Sequence, residues 1–114
     1  MSSSSSAVNH WKYQRLSAIA LIPLTIWFII SIASLADANY VSVLNWLQTP
    51  LTTALLSLFV IVSCYHAVLG IEVVVEDYIQ EPTRHRLFNL IRIVLLAAAL
   101  LSLLVIIKIS VENP

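Results

Sequence analysis

Apolar and polar positions divide this chain into long blocks. Three runs, Leu16 to Leu35, Leu51 to Ile71 and Leu87 to Ile107, are almost wholly apolar, and the charges gather before and between them. A helix at the surface of a soluble domain keeps one wetted face, and these runs leave almost none. Each has about 20 residues, the length that carries a helix across a bilayer core. The first two have no formal charge, and the third has only Arg92 near its start, where a long side chain can snorkel to the interface. The pattern therefore predicts an all-α integral membrane chain with three transmembrane helices over about 16–36, 51–75 and 87–109. They form one domain, 16–110, between a flexible tail at 1–15 and a short tail at 111–114. A bundle buried in a soluble core is the competing architecture, and the missing polar faces argue against it. Pro23 interrupts the first run, which membrane helices tolerate, and a kink is expected there.

Composition agrees with the pattern. The 114 residues are 60% hydrophobic and 11% charged, with a mean hydropathy of +0.92, far from the usage of soluble domains. The formal net charge is zero, so nothing points to a nucleic-acid partner. The start, "MSSSSSAVNHWKYQR", is polar and serine-rich, and is expected to be floppy to about Val8. The run after it is too long for a signal-peptide core and lacks a small-residue cleavage pattern, so the segment is expected to be retained. A mitochondrial transit peptide is richer in arginine, which favours a bacterial protein. The single cysteine, Cys64, excludes an internal disulfide.

Charge sets the orientation. Lys12 and Arg15 precede the first run, and Arg84, Arg86 and Arg92 lie in or beside the connection between the second and third. The connection from Asp37 to Pro50 has no basic residue, and Lys108 alone falls on its side. The positive-inside rule then puts the N-terminus in the cytoplasm of a bacterial inner membrane, with the second helix running inward.

Against this background one stretch, "CYHAVLGIEVVVEDY", carries the candidate chemistry. His66 lies about 22 Å of helix rise beyond Leu51, within the hydrocarbon. An imidazole there has two nitrogens to satisfy without water. Either it hydrogen-bonds a serine or a carbonyl of a neighbouring helix, or it is an axial ligand to haem iron. Gly70, the only glycine, falls about 40° from His66 one turn on. Taken alone it reads as close helix packing; beside an imidazole, it reads as clearance for a flat macrocycle, and the pair favours haem. Asp77 is about 20° off the His66 face and roughly 16 Å further along, with Tyr78 next to it. Those two read either as an interfacial belt tyrosine beside a solvated acid or as a phenol that donates to a carbonyl of a lipophilic substrate such as a quinone. The roles of Glu72 and Glu76 stay open on the residues, a solvated interfacial acid being the simple reading of each.

The ungapped set His66, Gly70, Asp77 and Tyr78 resembles the histidine, glycine and aspartate-tyrosine signature of the small cytochrome b-type membrane anchor of succinate dehydrogenase. "HWKYQRLSAIALIPLTIW" is also similar to the start of that family's first helix, with Arg15 followed two residues later by the small hydroxyl residue Ser17. The resemblance covers nearly the whole chain in length, helix count and order. It implies that three helices form half of a haem-binding bundle completed by a second, larger cytochrome b anchor subunit. His66 is then an axial ligand of haem b, and the second histidine comes from that partner; His10 and His85 lie outside the apolar runs. Tyr78 matches the ubiquinone-binding tyrosine, and Asp77 the adjacent acid that orients the site or delivers protons. Arg15 matches a basic residue near the haem propionates or the quinone pocket, and serves equally well as a positive-inside anchor. Ser17 is a further candidate cofactor contact.

The function implied is transfer of electrons from succinate oxidation to ubiquinone. With one cysteine and no glycine-rich fingerprint, flavin and iron-sulfur sites have to sit on soluble partners, a flavoprotein and an iron-sulfur subunit. Two other functions stay open on the residues: an anchor of a fumarate reductase, running the reverse direction, and a cofactor-free structural or assembly membrane protein.

Overall fold

A computed structural model of the protein describes residues 3–112. It has four helices, α1 (Ser3–Ser34), α2 (Tyr40–Gln48), α3 (Pro50–Tyr78) and α4 (Thr83–Val111), and no strand among the described residues. α1, α3 and α4 are the three long apolar helices the pattern predicts, each long and apolar enough to cross a membrane. The molecule measures 52 × 25 × 24 Å, so its long axis exceeds the roughly 30 Å hydrocarbon core.

α3 is the centre. α1 and α4 both pack along it, while the backbones of α1 and α4 stay more than 8 Å apart at Cα in the described residues. The buried positions are few and half of them are polar: Leu24, Leu69 and Ala99 beside Ser17, Thr52 and Glu72. Small and polar residues at helix contacts are the pattern of association in lipid, where apolar surface gains nothing by hiding from lipid tails. Of α4 only Ala99 is buried, and most of the apolar surface of that helix is left uncovered. A soluble bundle would have to leave that surface in water, which excludes the buried-bundle architecture.

The helices extend beyond the boundaries read from hydropathy. α1 starts at Ser3 and ends at Ser34, against an expected 16–36; α3 covers 50–78 against 51–75, and α4 covers 83–111 against 87–109. Most of the expected polar tail at 1–15 is thus helical, since extending an existing helix through serine costs only tenths of a kcal/mol per residue. His10, Trp11 and Gln14 also find a surface on the end of α3. The outermost tail positions, 1–2 and 113–114, lie outside the described residues. α1 is continuous through Pro23.

The connection from 36 to 50, to which the hydropathy pattern gives no element, holds α2. Asn39 caps it by accepting from the Ser42 N–H at 2.9 Å. Its half-buried face carries Val43, Leu44, Trp46 and Leu47, while Ser42 and Asn45 face out. Trp46 stacks on Trp27 with ring centroids 6.1 Å apart. Gln48 Nε2 donates to the carbonyls of Ile109 at 3.1 Å and Glu112 at 2.6 Å, closing the free end of α4. Pro50 begins α3 at a position that needs no N–H. At the other end, Arg84 Nε donates to the Ile79 carbonyl at 2.9 Å and its Nη2 to the Glu76 carbonyl at 3.3 Å, capping α3 with a cation.

Candidate functional site

Where α1 crosses α3, one turn of each helix carries the residues the sequence singles out. Ser17, 5% exposed, faces His66, with Oγ and Nδ1 2.8 Å apart. One turn toward the N-terminus of α1, Gln14 lies over Gly70: a Cβ on Gly70 would stand 3.4 Å from Gln14 Nε2. The space left by the glycine thus faces the side-chain amide of Gln14 on α1. The two contacts are in register, as antiparallel helices require.

The protons of the Ser17–His66 contact follow from a third group. Ser17 Oγ donates to the Gln14 carbonyl at 2.8 Å. A carbonyl only accepts and a serine has one hydroxyl proton, so the Oγ···Nδ1 contact takes its proton from Nδ1. Nε2 then carries the lone pair, and among the described residues it has no hydrogen-bond partner. His66 lines a cavity of about 390 Å³ with Ala18, Leu21, Ile22, Thr25 and Ile26, all from α1. That wall is apolar apart from one threonine, and a flat, largely apolar group with one open coordination position fits it.

Arg15 is exposed, with its guanidinium carbon 5.1 Å from the centroid of the Trp11 ring. It precedes Ile22 by seven residues, so it lies on the same face of α1 as the cavity wall, about 10 Å toward the N-terminus. Asp77 and Tyr78 close α3 in the open. Tyr78 is 82% exposed and its phenol is free among the described side chains. It stands about 18 Å of helix rise from His66, so the structure joins His66, Ser17 and Gly70 in one cluster and leaves Asp77 and Tyr78 apart from it.

Glu72 corrects one expectation. It is 8% exposed rather than solvated, its Oε1 accepts from Arg92 Nε at 2.6 Å, and its Oε2 lies 3.8 Å from His10 Nε2. Residues of all three long helices meet at this one carboxylate. Arg92 therefore pairs within the protein while its side chain stays 56% exposed. A signal was present: an acid in one apolar span and a base in the next, at similar depth from the connection that joins them, and intramembrane charges seek one another. Glu76 is exposed, as expected. Beside Glu72 a cavity of about 660 Å³ opens between α1, α3 and the start of α4, also lined by Trp11, Gln14, Glu76 and Phe88. Gln14 Oε1, buried there, has no partner among the described residues.

These features define a class: a multi-pass helical membrane protein with a histidine held at one nitrogen and open at the other, inside the span. Comparison with known proteins sharpens it. Residues 1–106 match the model of the succinate dehydrogenase/fumarate reductase transmembrane subunit family, and the chain belongs to that family. It is similar to the succinate dehydrogenase hydrophobic membrane anchor subunit of Rickettsia bellii (strain RML369-C), 40% identical over 79 residues that span 68% of this chain and 62% of that relative. The protein of that name from Rickettsia typhi (strain ATCC VR-144 / Wilmington) is 34% identical over 94 residues, 82% of this chain and 72% of the relative. The one from Paracoccus denitrificans is 33% identical over 76 residues, 67% of this chain and 58% of the relative. In kind, then, the chain is a hydrophobic membrane anchor. No solved structure matches it.

Proposed function

We propose that the chain anchors a succinate dehydrogenase in a bacterial inner membrane, holds one side of a haem b through His66, and contributes Tyr78 and Asp77 to the site where ubiquinone is reduced. The observation that carries the reading is His66 itself, fixed through Nδ1 with its Nε2 lone pair free beside an apolar cavity. A histidine kept only for helix packing needs no such open nitrogen. When bound, the haem supplies a one-electron relay within the membrane. The second axial histidine comes from the larger cytochrome b anchor subunit, because His10 stands beside Glu72 and His85 lies in the first turn of α4.

Each residue of this chain has a task in that scheme. Ser17 holds the imidazole, and Gly70 lets α1 come close enough for Ser17 to do so. Arg15, on the α1 face that continues the cavity wall, offers a cation to propionates. Tyr78 donates a hydrogen bond to a quinone carbonyl, and Asp77 beside it moves protons from the aqueous side. The quinone takes two electrons and two protons to become the quinol. The electrons come from a flavoprotein and an iron-sulfur subunit docked at the end that carries Tyr78.

The orientation belongs to the same proposal. Lys12, Arg15, Arg84 and Arg86 lie at one end of the antiparallel helices and Lys108 toward the other, so the Tyr78 end faces the cytoplasm. The family includes fumarate reductases; the relatives above are all named for succinate oxidation, which favours that direction.

His66→Ala tests the ligand. The purified complex should lose its low-spin spectrum or its haem, since the apolar cavity offers no substitute ligand. An unchanged spectrum with full haem content would return His66 to a helix-packing role.

A further inference from the structure

We infer that Ser17 is a positioning residue which fixes the protonation pattern of His66 and thereby sets the redox potential of the iron that His66 binds. The inference rests on the proposal that His66 is an axial ligand. Its own basis is the pair of 2.8 Å contacts at Ser17 Oγ. The Gln14 carbonyl takes the only hydroxyl proton, so Oγ has lone pairs alone to offer His66. This selects the tautomer with the proton on Nδ1 and leaves Nε2 as the coordinating atom. With Nδ1 bare and the proton on Nε2, Oγ and Nδ1 would meet lone pair to lone pair at 2.8 Å, which is repulsive.

The same bond has an electronic consequence. An imidazole that donates from the ring nitrogen away from the metal becomes a more basic ligand, and a more basic ligand favours ferric over ferrous iron. Burial strengthens the effect, because Ser17 is 5% exposed and no water competes for the proton. The anchoring is rigid as well. Ser17 is tied to its own helix backbone one turn back, so the acceptor cannot turn away without losing its bond to Gln14.

The test compares Ser17→Thr with Ser17→Val in the complete membrane complex. These two side chains have nearly the same volume and differ in the hydroxyl. The readouts are haem content and midpoint potential from a redox titration, together with the ferric electron-spin spectrum. The threonine variant should keep the parent potential. The valine variant should retain low-spin haem and shift its ferric-to-ferrous equilibrium toward ferrous roughly fivefold, the worth of one neutral hydrogen bond. A merely structural role would lower haem content in both without separating their potentials. Equal potentials in the two variants, with haem present and His66→Ala abolishing its spectrum, would overturn the role of Ser17 while leaving the ligand standing. A His66→Ala complex with a normal spectrum would instead remove the ligand proposal on which this one rests. Should the valine variant not assemble, Ser17→Ala takes its place in the same titration. A shift toward ferrous that the threonine variant does not share supports the inference, and a potential equal to the parent's with haem present overturns it.

Discussion

Tyr78 and His66 ask different things of their surroundings. His66 sits against a neighbouring helix that controls one of its nitrogens, whereas Tyr78 stands 82% exposed at the last residue of its helix. A phenol in that position is available to a ligand or partner and holds no other side chain among the described residues. The proposed function therefore predicts that Tyr78→Phe leaves assembly and haem intact. It should slow quinone reduction by about one to three orders of magnitude, the cost of removing one donor to developing negative charge on oxygen. Succinate oxidation measured with a soluble artificial acceptor, which takes electrons upstream of the membrane, should stay near the parent rate. If both assays fell together, Tyr78 would be an assembly residue. If neither changed, the quinone site would lie elsewhere.

At the scale of elements, α1, α3 and α4 are held in register by a few polar contacts on a mostly apolar background. Glu72 is the contact that reaches all three. Glu72→Ala strands Arg92 in the span, and breaking a buried pair costs about 3 to 5 kcal/mol. Because the Arg92 side chain is 56% exposed, part of that cost is relieved by snorkelling, and a loss of roughly 1 to 3 kcal/mol is expected. Thermal unfolding of the detergent-solubilised complex should show a clearly lower midpoint for Glu72→Ala. Glu72→Gln, which keeps an acceptor for Arg92, should fall between it and the parent. Equal midpoints for all three proteins would mean that the pair is spectator geometry.

The long helices were legible because hydropathy over about 20 residues is a strong signal. α2 was not, since nine residues broken by Ser42 and Asn45 resemble any interfacial loop until Trp27 and the end of α4 supply surfaces for it. The N-terminal extension of α1 was hidden for a related reason. Its serines read as tail, and the surface of α3 that its later residues meet is a tertiary fact. His66 and Ser17 were both visible as residue types, but a bond between positions 49 apart in sequence depends on how two helices cross. The burial of Glu72 was not legible, because an acid near the end of a span looks solvated until the depth of Arg92 on the next helix is weighed too.

For the whole molecule, the arrangement is asymmetric. One side of α3 is covered by α1, another by α4, and much of the remaining surface is exposed leucine, isoleucine and valine. Lipid and a second anchor subunit are the proposed neighbours of that surface. Reporter fusions after Asn39 and after Glu81 should report opposite sides of the membrane, with Glu81 in the cytoplasm; the reverse result would part Tyr78 from a cytoplasmic electron donor.

The central claim is that this chain holds a haem in common with a partner anchor inside a succinate-oxidising complex. Its most direct test is a reduced-minus-oxidised spectrum of the complex isolated through an affinity tag on this chain. The predicted result is co-isolation of a flavoprotein, an iron-sulfur subunit and a larger anchor, with about one low-spin b-type haem per chain. A complex with all its partner chains and full quinone reductase activity but no haem would contradict it.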